Sequence, residues 1–411
     1  MSRSEIAPSK HDFRYLAPRL AVLSLSAACT VYGINNLVSN LNEQCPAPSP
    51  SALAAVAELY DHPEVVPSLK LSDDTIDLPA YDRYMQDKQR QLGIQLPSYS
   101  QNDLNYLSGA MNSSKKRPFT DYESAPRGIL DQINIPLYIG LPPHISKQDS
   151  KGAVAPTSSE LETLRAKNEI LMIAAMFGRE PKNITRHIGI KAVAIVAHST
   201  VGGLAITDKG VLITDITNVS ESDRTTPLHE FAHLVDAAVC GSIGMHNDPA
   251  YASLNRQARY AQSHKPSVDF VKSQPKTFDK VENDVQLAYF NSESNAAAVA
   301  ADPGNKPLHD NYCRQKAASD ETVANIDDIS EYSETFVTED KAEVGTELFD
   351  SYTADQLLHH TSPTLRAKGL LFLARMYQRF PDSVKYMALH PVNHNQPVVR
   401  CDKSNDYQLV H

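Results

Sequence analysis

The stretch that decides the fold is "TTPLHEFAHLVD", residues 225 to 236, in which two histidines stand four residues apart. On a helix, side chains at positions i and i+4 project from the same face, so His229 and His233 can offer two imidazole nitrogens to one metal ion. Glu230 lies about 100° further round the helix, beside the position of a metal-bound water whose proton a carboxylate can accept. This His-Glu-x-x-His pattern predicts a metal-dependent hydrolase.

The residues around the motif predict where its helix begins and ends. Thr226 is a favourable N-cap, and Pro227 follows at the first helical position, where its missing N–H costs nothing. The apolar pattern continues to Cys240, and Gly241 is a typical residue just beyond a helix end. The motif is therefore expected on a capped helix with a buried apolar face.

The rest of this part of the chain predicts an α+β fold. The signals are a capped helical pattern, three short β-like runs before the motif and two apolar-faced helices after it: 158–178, 188–198, 202–207, 210–216, 340–353 and 362–380. The expected architecture is a small sheet upstream of the His-Glu-x-x-His helix and a helical C-terminal part.

A catalytic zinc site needs a third protein ligand and one open position. No third histidine follows soon after His233, which favours a glutamate on a later helix. The stretch "AEVGTELF", residues 342–349, offers Glu343 and Glu347 at i and i+4. One carboxylate can bind zinc while the other holds a ligand histidine, although an exposed helix face has the same spacing.

These motifs together resemble those of the anthrax lethal factor-type zinc metalloproteases, a family that includes the Pro-Pro endopeptidases. "LHEFAHLVD" is similar to their zinc-binding helix, and Glu343 to Phe349 matches in outline a second helix of the form E-[FY]-F-A-E-x-F. The resemblance covers about residues 158 to 380. It implies a zincin-like catalytic domain with one Zn²⁺, in which Glu343 is the third ligand and Glu347 supports a ligand histidine.

The chain departs from this family in two places. The family has an oxyanion-stabilising tyrosine seven residues before the third ligand, and this position is Phe336 if Glu343 is the ligand. Tyr332, one helical turn earlier, is the candidate substitute. The interval between the two motifs is also longer than in the family, so residues 265–335 are interpreted as an insertion. Asp236 matches an aspartate of the family motif; it is either an acceptor for a ligand histidine N–H or an ordinary polar residue near a helix end.

Four regions follow from composition. Basic residues precede an uncharged stretch in 1–45, which is typical of a signal peptide or weak membrane anchor, with a buried N-terminal helix as the alternative. Residues 46–155 form a proline-punctuated region with no assigned role. Residues 156–385 are the expected metallopeptidase domain, and 386–411 are a C-terminal tail.

Charge and cysteines indicate the setting in which the protein works. The net charge of -10 argues against nucleic-acid binding, and membrane attachment is expected only through the N-terminal segment. Removal of a leader that contains Cys29 leaves four cysteines, enough for two disulfides in an oxidising compartment: Cys45, Cys240, Cys313 and Cys401. The sequence does not decide their pairing. A secreted or cell-envelope protein is expected.

The sequence thus predicts a zinc-dependent endopeptidase that cleaves a protein or peptide substrate, with Glu230 as the general base. Two other functions remain open. One is a catalytically inactive zinc-binding module of a toxin-like or interaction type, which the missing hydroxyl at Phe336 favours. The other is a zinc hydrolase that acts on a non-peptide amide.

Overall fold

The computed structural model describes residues 44–61, 134–167, 188–218, 226–256, 259–274, 304–349 and 357–388, with short stretches and single residues between and after these ranges. The predicted leader, apart from residues 44 and 45, lies outside the described residues. No helix in the described part of the chain is long and apolar enough to cross a membrane.

Before the motif the described elements include both helices and short strands, and after it they are mainly helices. In chain order they are α1 (Pro50–Asp61), β1 (Leu137–Ile139), α2 (Ser158–Leu161), β2 (Ala192–Val196), β3 (Gly203–Ile206), β4 (Val211–Asp215), α3 (Thr226–Cys240), α4 (Pro249–Ala252), α5 (Val268–Ser273), α6 (Lys306–Val323), α7 (Val337–Phe349), α8 (Pro363–Arg379), α9 (Pro381–Ala388), β5 (Val398–Val399) and β6 (Leu409–Val410).

A four-stranded sheet lies upstream of the motif helix, in the order β1-β2-β4-β3. The strands β1, β2 and β4 are parallel, whereas β3 runs antiparallel to β4 and forms one edge. Every residue of β2 and β4 is buried, because both faces of the sheet are covered. Three of these strands fall in the three predicted β-like runs; β1 was not predicted.

The main core lies between one face of this sheet and the helices. Alternation along β2 directs Val193 and Ile195 into that core, while Ala192, Ala194 and Val196 join a smaller cluster on the opposite face. The mixed sheet and packed helices agree with the predicted α+β class. They also give α3 a rigid support, since its apolar side packs into the main core.

The helices α3 and α7 approach each other unusually closely. A Cβ atom added at Gly345 would lie 2.6 Å from the Cβ of Ala232, so only glycine permits this separation. Nearby, the rings of Phe231 and Phe349 meet edge to face at 4.9 Å. This contact brings the side chains of α7 within reach of the two motif histidines.

Part of the region with no assigned role belongs to the same core. The strand β1 pairs with β2, and α1 packs against α8. Cys45 forms a disulfide with Cys240, the last residue of α3, and the Cys45 backbone N–H donates to the carbonyl of Asn247 at 3.0 Å. The last residue of the predicted leader is therefore tied to the end of the motif helix.

Candidate metal centre

The helix α3 carries His229, Glu230 and His233, and it ends as the sequence predicts. Gly241 follows Cys240 with a φ of 78°, the left-handed conformation that terminates helices. The imidazoles of His229 and His233 lie on one face with ring centroids 4.9 Å apart. The i, i+4 spacing therefore brings the two rings together as expected.

The third member of the cluster is Glu339, near the start of α7. Its Oε2 atom lies 3.1 Å from Nε2 of His229 and 3.2 Å from Nε2 of His233. The histidine side chains are each 12% exposed and that of Glu339 is 6% exposed. One ligand atom from each residue lies within 4.8 Å of the others, so this group can hold a metal ion.

Glu343 occupies a different place, on the far side of the His229 ring. Its Oε1 atom lies 3.1 Å from Nδ1 of His229, and Ser330 Oγ donates to its Oε2 atom at 2.9 Å. A carboxylate on the second nitrogen of an imidazole fixes the tautomer and the ring orientation of a metal ligand.

The two carboxylates around His229 provide a test of whether a cation fits this centre. A neutral imidazole has one N–H and can donate to only one of them. If Nδ1 donates to Glu343, the bare Nε2 faces the Glu339 oxygen, and the same oxygen faces Nε2 of His233. The lone pairs of His229 Nε2 and Glu339 Oε2 then repel each other, unless His229 is protonated or a cation binds between them. The donor set fits a divalent metal of the zinc type.

Burial and charge together shift the pKa values of this cluster. Burial lowers the pKa of His229, but its contacts with Glu339 and Glu343 outweigh this effect and raise the pKa well above 6.5. Burial raises the pKa of Glu339, but His233 and His229 outweigh it and the net shift is downward. Without a metal, the centre therefore favours a protonated His229 beside an ionised Glu339.

The prediction that Glu343 is the third ligand thus needs correction by one helical turn. Glu339 takes the predicted place of Glu343, and Glu343 takes the supporting place expected for Glu347. Glu347 lies one turn beyond Glu343 and outside the converging group. The spacing could not decide this, because 339/343 and 343/347 are both i, i+4 pairs.

A signal in the sequence could have identified the correct pair. If Glu339 is aligned with the first glutamate of E-[FY]-F-A-E-x-F, Ala342 and Glu343 match the fourth and fifth positions. Asp340, Lys341 and Gly345 replace all three aromatic residues in that alignment, which hid the match. The position seven residues before Glu339 is then Tyr332 rather than Phe336.

Tyr332 lies at the centre, with its ring centroid 5.8 Å from that of His229. Its hydroxyl oxygen is buried, and no group among the described residues meets it in hydrogen-bond geometry. Burial raises the pKa of Tyr332 well above 10, and the nearby carboxylates of Glu339 and Glu230 raise it further. A protonated phenol thus lies beside the candidate metal ligands, with the Glu339 carboxylate as its polar neighbour.

Glu230 is buried on the side of α3 that faces β3. A Cβ atom added at Gly203 would lie 2.7 Å from Cγ and 2.8 Å from Oε1 of Glu230, so the side chain rests against bare backbone. Burial raises the pKa of Glu230, although His229 and His233 lower it and the Ala205 backbone N–H does so too. A carboxylate with a raised pKa is well suited to accept a proton near neutral pH.

Asp236 does not contact a ligand histidine, which corrects its proposed role. Its carboxylate is 2.7 Å from Nζ of the fully buried Lys341, and its Oδ1 atom lies 3.2 Å from the disulfide-bonded Sγ of Cys240. Lys341 also lies 3.3 Å from Asp248, which forms a second buried pair with Arg375. Asp236 therefore anchors α7 to α3.

A second buried lysine fixes α7 from the other side. Nζ of Lys368 lies 2.6 Å from Asp340 and 2.5 Å from Asp328, and it donates to the carbonyl of Asp327 at 2.7 Å. Removal of one partner from such a buried pair leaves an uncompensated charge. The two lysine clusters hold Asp340 and Lys341, the two residues after Glu339 on α7, and the loop before Ser330, a part of the predicted insertion.

Comparison of the chain with protein-family models, with curated proteins and with solved structures gives no match. The class of site is accordingly defined by its own geometry: two histidines and a glutamate that converge, with Glu343 on the second ring nitrogen of His229.

Proposed function

We propose that this protein is a zinc-dependent endopeptidase. In this proposal His229, His233 and Glu339 bind one Zn²⁺, Glu343 orients His229, and Glu230 is the general base. The observation that carries the proposal is the convergence of both histidine Nε2 atoms on one oxygen of Glu339. Three protein ligands with a fourth position open are typical of catalytic zinc sites, whereas structural sites have four protein ligands.

The chain's own groups supply the remaining chemistry. When bound, Zn²⁺ lowers the pKa of its water to about 7 and polarises a carbonyl. Glu230 accepts a proton from the attacking water and then delivers it to the leaving amine. The Tyr332 hydroxyl, buried beside His229, donates to the negative charge that develops on the carbonyl oxygen.

The substrate is proposed to be an extended peptide segment. In the described sheet, β3 is an edge strand, and it packs against α3 where Gly203 meets Glu230. The backbone groups of an edge strand can pair with an extended chain, which then lies alongside the site. This arrangement favours a peptide over a small non-peptide amide.

The resemblance to the lethal factor-type metalloproteases is retained as part of the proposal. With Glu339 as the third ligand, the family tyrosine falls on Tyr332, so Phe336 no longer argues for an inactive module. The disulfide between Cys45 and Cys240 supports a secreted or cell-envelope location, because disulfides persist in oxidising compartments.

The experiment that tests the function combines metal analysis with a cleavage assay. Purified protein should contain about one Zn²⁺ per chain, and a mixture of unstructured peptides should yield fragments with new amino termini. Chelation should abolish cleavage and added zinc should restore it. Glu230→Gln is the matched control, because it should keep zinc and lose cleavage. Full zinc in the wild type without cleavage of any peptide would favour the binding module, and protein without zinc would refute both.

A further inference from the structure

His264 lies over the candidate centre, although it falls outside both motifs and just before the predicted insertion. The segment that carries it runs beside the turn that contains Tyr332. The backbone N–H of Ala261 donates to the carbonyl of Glu334 at 2.8 Å, and that of Gln262 donates to the carbonyl of Thr335 at 2.9 Å. Two backbone hydrogen bonds thus join the segment before His264 to the turn that contains Tyr332.

Two further features hold this segment in place. The hydroxyl of Tyr260 donates to Oδ2 of Asp340, directly after Glu339 on α7, at 2.7 Å. Gln262 has a φ of 54°, a left-handed conformation that is uncommon for residues other than glycine. Such a conformation persists where the surrounding contacts stabilise it, so the backbone two residues before His264 is held in a defined conformation.

The His264 ring contacts the ring of Tyr332. The two are nearly parallel, with an interplanar angle of 20° and centroids 6.2 Å apart. The His264 ring also packs on the ring of Phe336, with the two centroids 4.6 Å apart and an angle of 58° between the ring planes. Phe336, the residue that the sequence alone left without a role, therefore supports His264.

Tyr332 needs such support more than an ordinary buried tyrosine does. It lies in a turn, and its buried hydroxyl makes no hydrogen bond of full geometry within the described residues, although it interacts with the Glu339 carboxylate, the group that would bind the metal. Once a metal takes the Glu339 carboxylate, the ring contacts with His229 and His264 remain to fix the direction of the phenol. A displacement of about 1 Å in a catalytic donor can cost on the order of 10²-fold in rate.

We propose that His264 is a positioning residue that holds the Tyr332 ring so that its hydroxyl faces the space beside His229 and Glu339. The inference deepens the proposed function and rests on it. His264 acts through its flat ring rather than through a proton. Burial lowers the pKa of His264, which keeps the ring uncharged and free of repulsion with a bound cation.

The test is a double-mutant cycle in the full chain with His264→Ala, Tyr332→Phe and the double variant. His264→Ala should lower kcat roughly 10-fold, with KM and zinc content unchanged, because one donor is misdirected. In the Tyr332→Phe background, the same change should cost less than about 2-fold, since no hydroxyl remains to be directed. Additive losses, or an unchanged kcat in His264→Ala, would overturn the proposal.

A conservative variant separates the ring from the imidazole. His264→Phe retains a flat ring that can stack on Tyr332, so it should keep at least about half of the wild-type kcat. If His264→Phe is as impaired as His264→Ala, the imidazole nitrogens act directly and a positioning role is wrong. Loss of zinc in either variant would also contradict the proposal, because His264 is not in the ligand group.

A binding measurement distinguishes failure of this inference from failure of the proposed function. A simple peptide hydroxamate should bind the zinc-loaded protein with one oxygen where the oxyanion develops. Its Kd should be weakened by His264→Ala and by Tyr332→Phe, again without additivity. If the wild type binds zinc and the hydroxamate but cleaves nothing, the endopeptidase proposal fails while this cycle still decides the role of His264. If the wild type binds no zinc, both fall.

Discussion

The Oε1 atom of Glu343 lies 3.1 Å from Nδ1 of His229, the ring nitrogen that points away from the metal cluster. In the proposed zinc centre, Glu343 therefore orients His229 rather than binding the metal itself. It also gives the metal-free centre its charge balance, since the pKa of His229 is raised by carboxylates on both sides even though burial opposes the shift.

The metal-free protein should consequently lose stability as the pH rises. A histidine whose folded-state pKa is raised above its unfolded value of 6.5 stabilises the fold fully below that pH, and this stabilisation disappears as the pH passes through the raised pKa. Tm of the chelator-treated protein should fall from pH 6.5 upwards, and zinc should remove the trend. A metal-free Tm that increases over this range would contradict the paired state of His229.

Zinc binding should in turn release protons. A metal ligand must be deprotonated, so the ion displaces the proton that His229 carries in the metal-free centre. The apparent zinc affinity should increase with pH until the pH exceeds the raised pKa. Calorimetric titrations in buffers of different ionisation enthalpy measure the number of protons released, and a value of zero at pH 6.5 would oppose this account.

Glu230→Gln should retain zinc and reduce peptide cleavage by about 10²–10⁴-fold, the usual effect of losing a general base. The amide keeps the size of the side chain in its buried place against Gly203. Metal analysis and initial rates on one peptide substrate measure the two effects separately. Loss of metal would mean that Glu230 belongs to the ligand group.

Gly203→Ala should disturb the site from the sheet side. The added Cβ atom would lie 2.5 Å from Cγ2 of Thr226 and 2.7 Å from Cγ of Glu230, both on α3. Overpacking of this kind typically costs about 1–3 kcal/mol. Gly304→Ala is the matched control, because its Cβ atom would meet nothing within 4 Å. Denaturant unfolding of the two variants should differ by that amount, and equal stabilities would refute the close contact.

The disulfide makes a prediction about the amino-terminal boundary. A protein that begins at Gln44 keeps Cys45, whereas one that begins at Ser51 leaves Cys240 unpaired. Loss of a native disulfide typically costs about 2–5 kcal/mol, so the shorter protein should melt at a lower temperature. The end of the segment interpreted as a leader would then contribute to the stability of the fold. Equal Tm values under non-reducing conditions would contradict a stabilising role of this disulfide.

The sequence was most informative where local rules act. The bounds of α3 follow from Thr226, Pro227 and Gly241, and the strands β2 to β4 follow from short β-rich runs between glycine turns. The histidine pair follows from helical geometry alone. These features depend on neighbours within a few residues.

The features that the sequence did not decide depend on contacts between distant segments. Three glutamates at successive turns of α7 share one face, and the close approach at Gly345 and Ala232 determines which of them reaches the histidines. The ion pairs of Asp340 and Lys341 at two aromatic positions of the family helix concealed the match. The place of His264 depends on backbone hydrogen bonds between distant segments, which no local pattern indicates.

The zinc content of Glu339→Ala, compared with that of Glu343→Ala, tests the central claim most directly. Both proteins are passed through gel filtration after loading with equimolar zinc, and Glu347→Ala serves as the control on the same helix. We predict that Glu339→Ala loses its zinc, because two histidines are too few for a stable site. Glu343→Ala should bind about 10–100-fold more weakly but remain loadable with excess zinc, and Glu347→Ala should match the wild type. Retention of full zinc by Glu339→Ala together with its loss from Glu343→Ala would contradict the assignment of Glu339 as the third ligand.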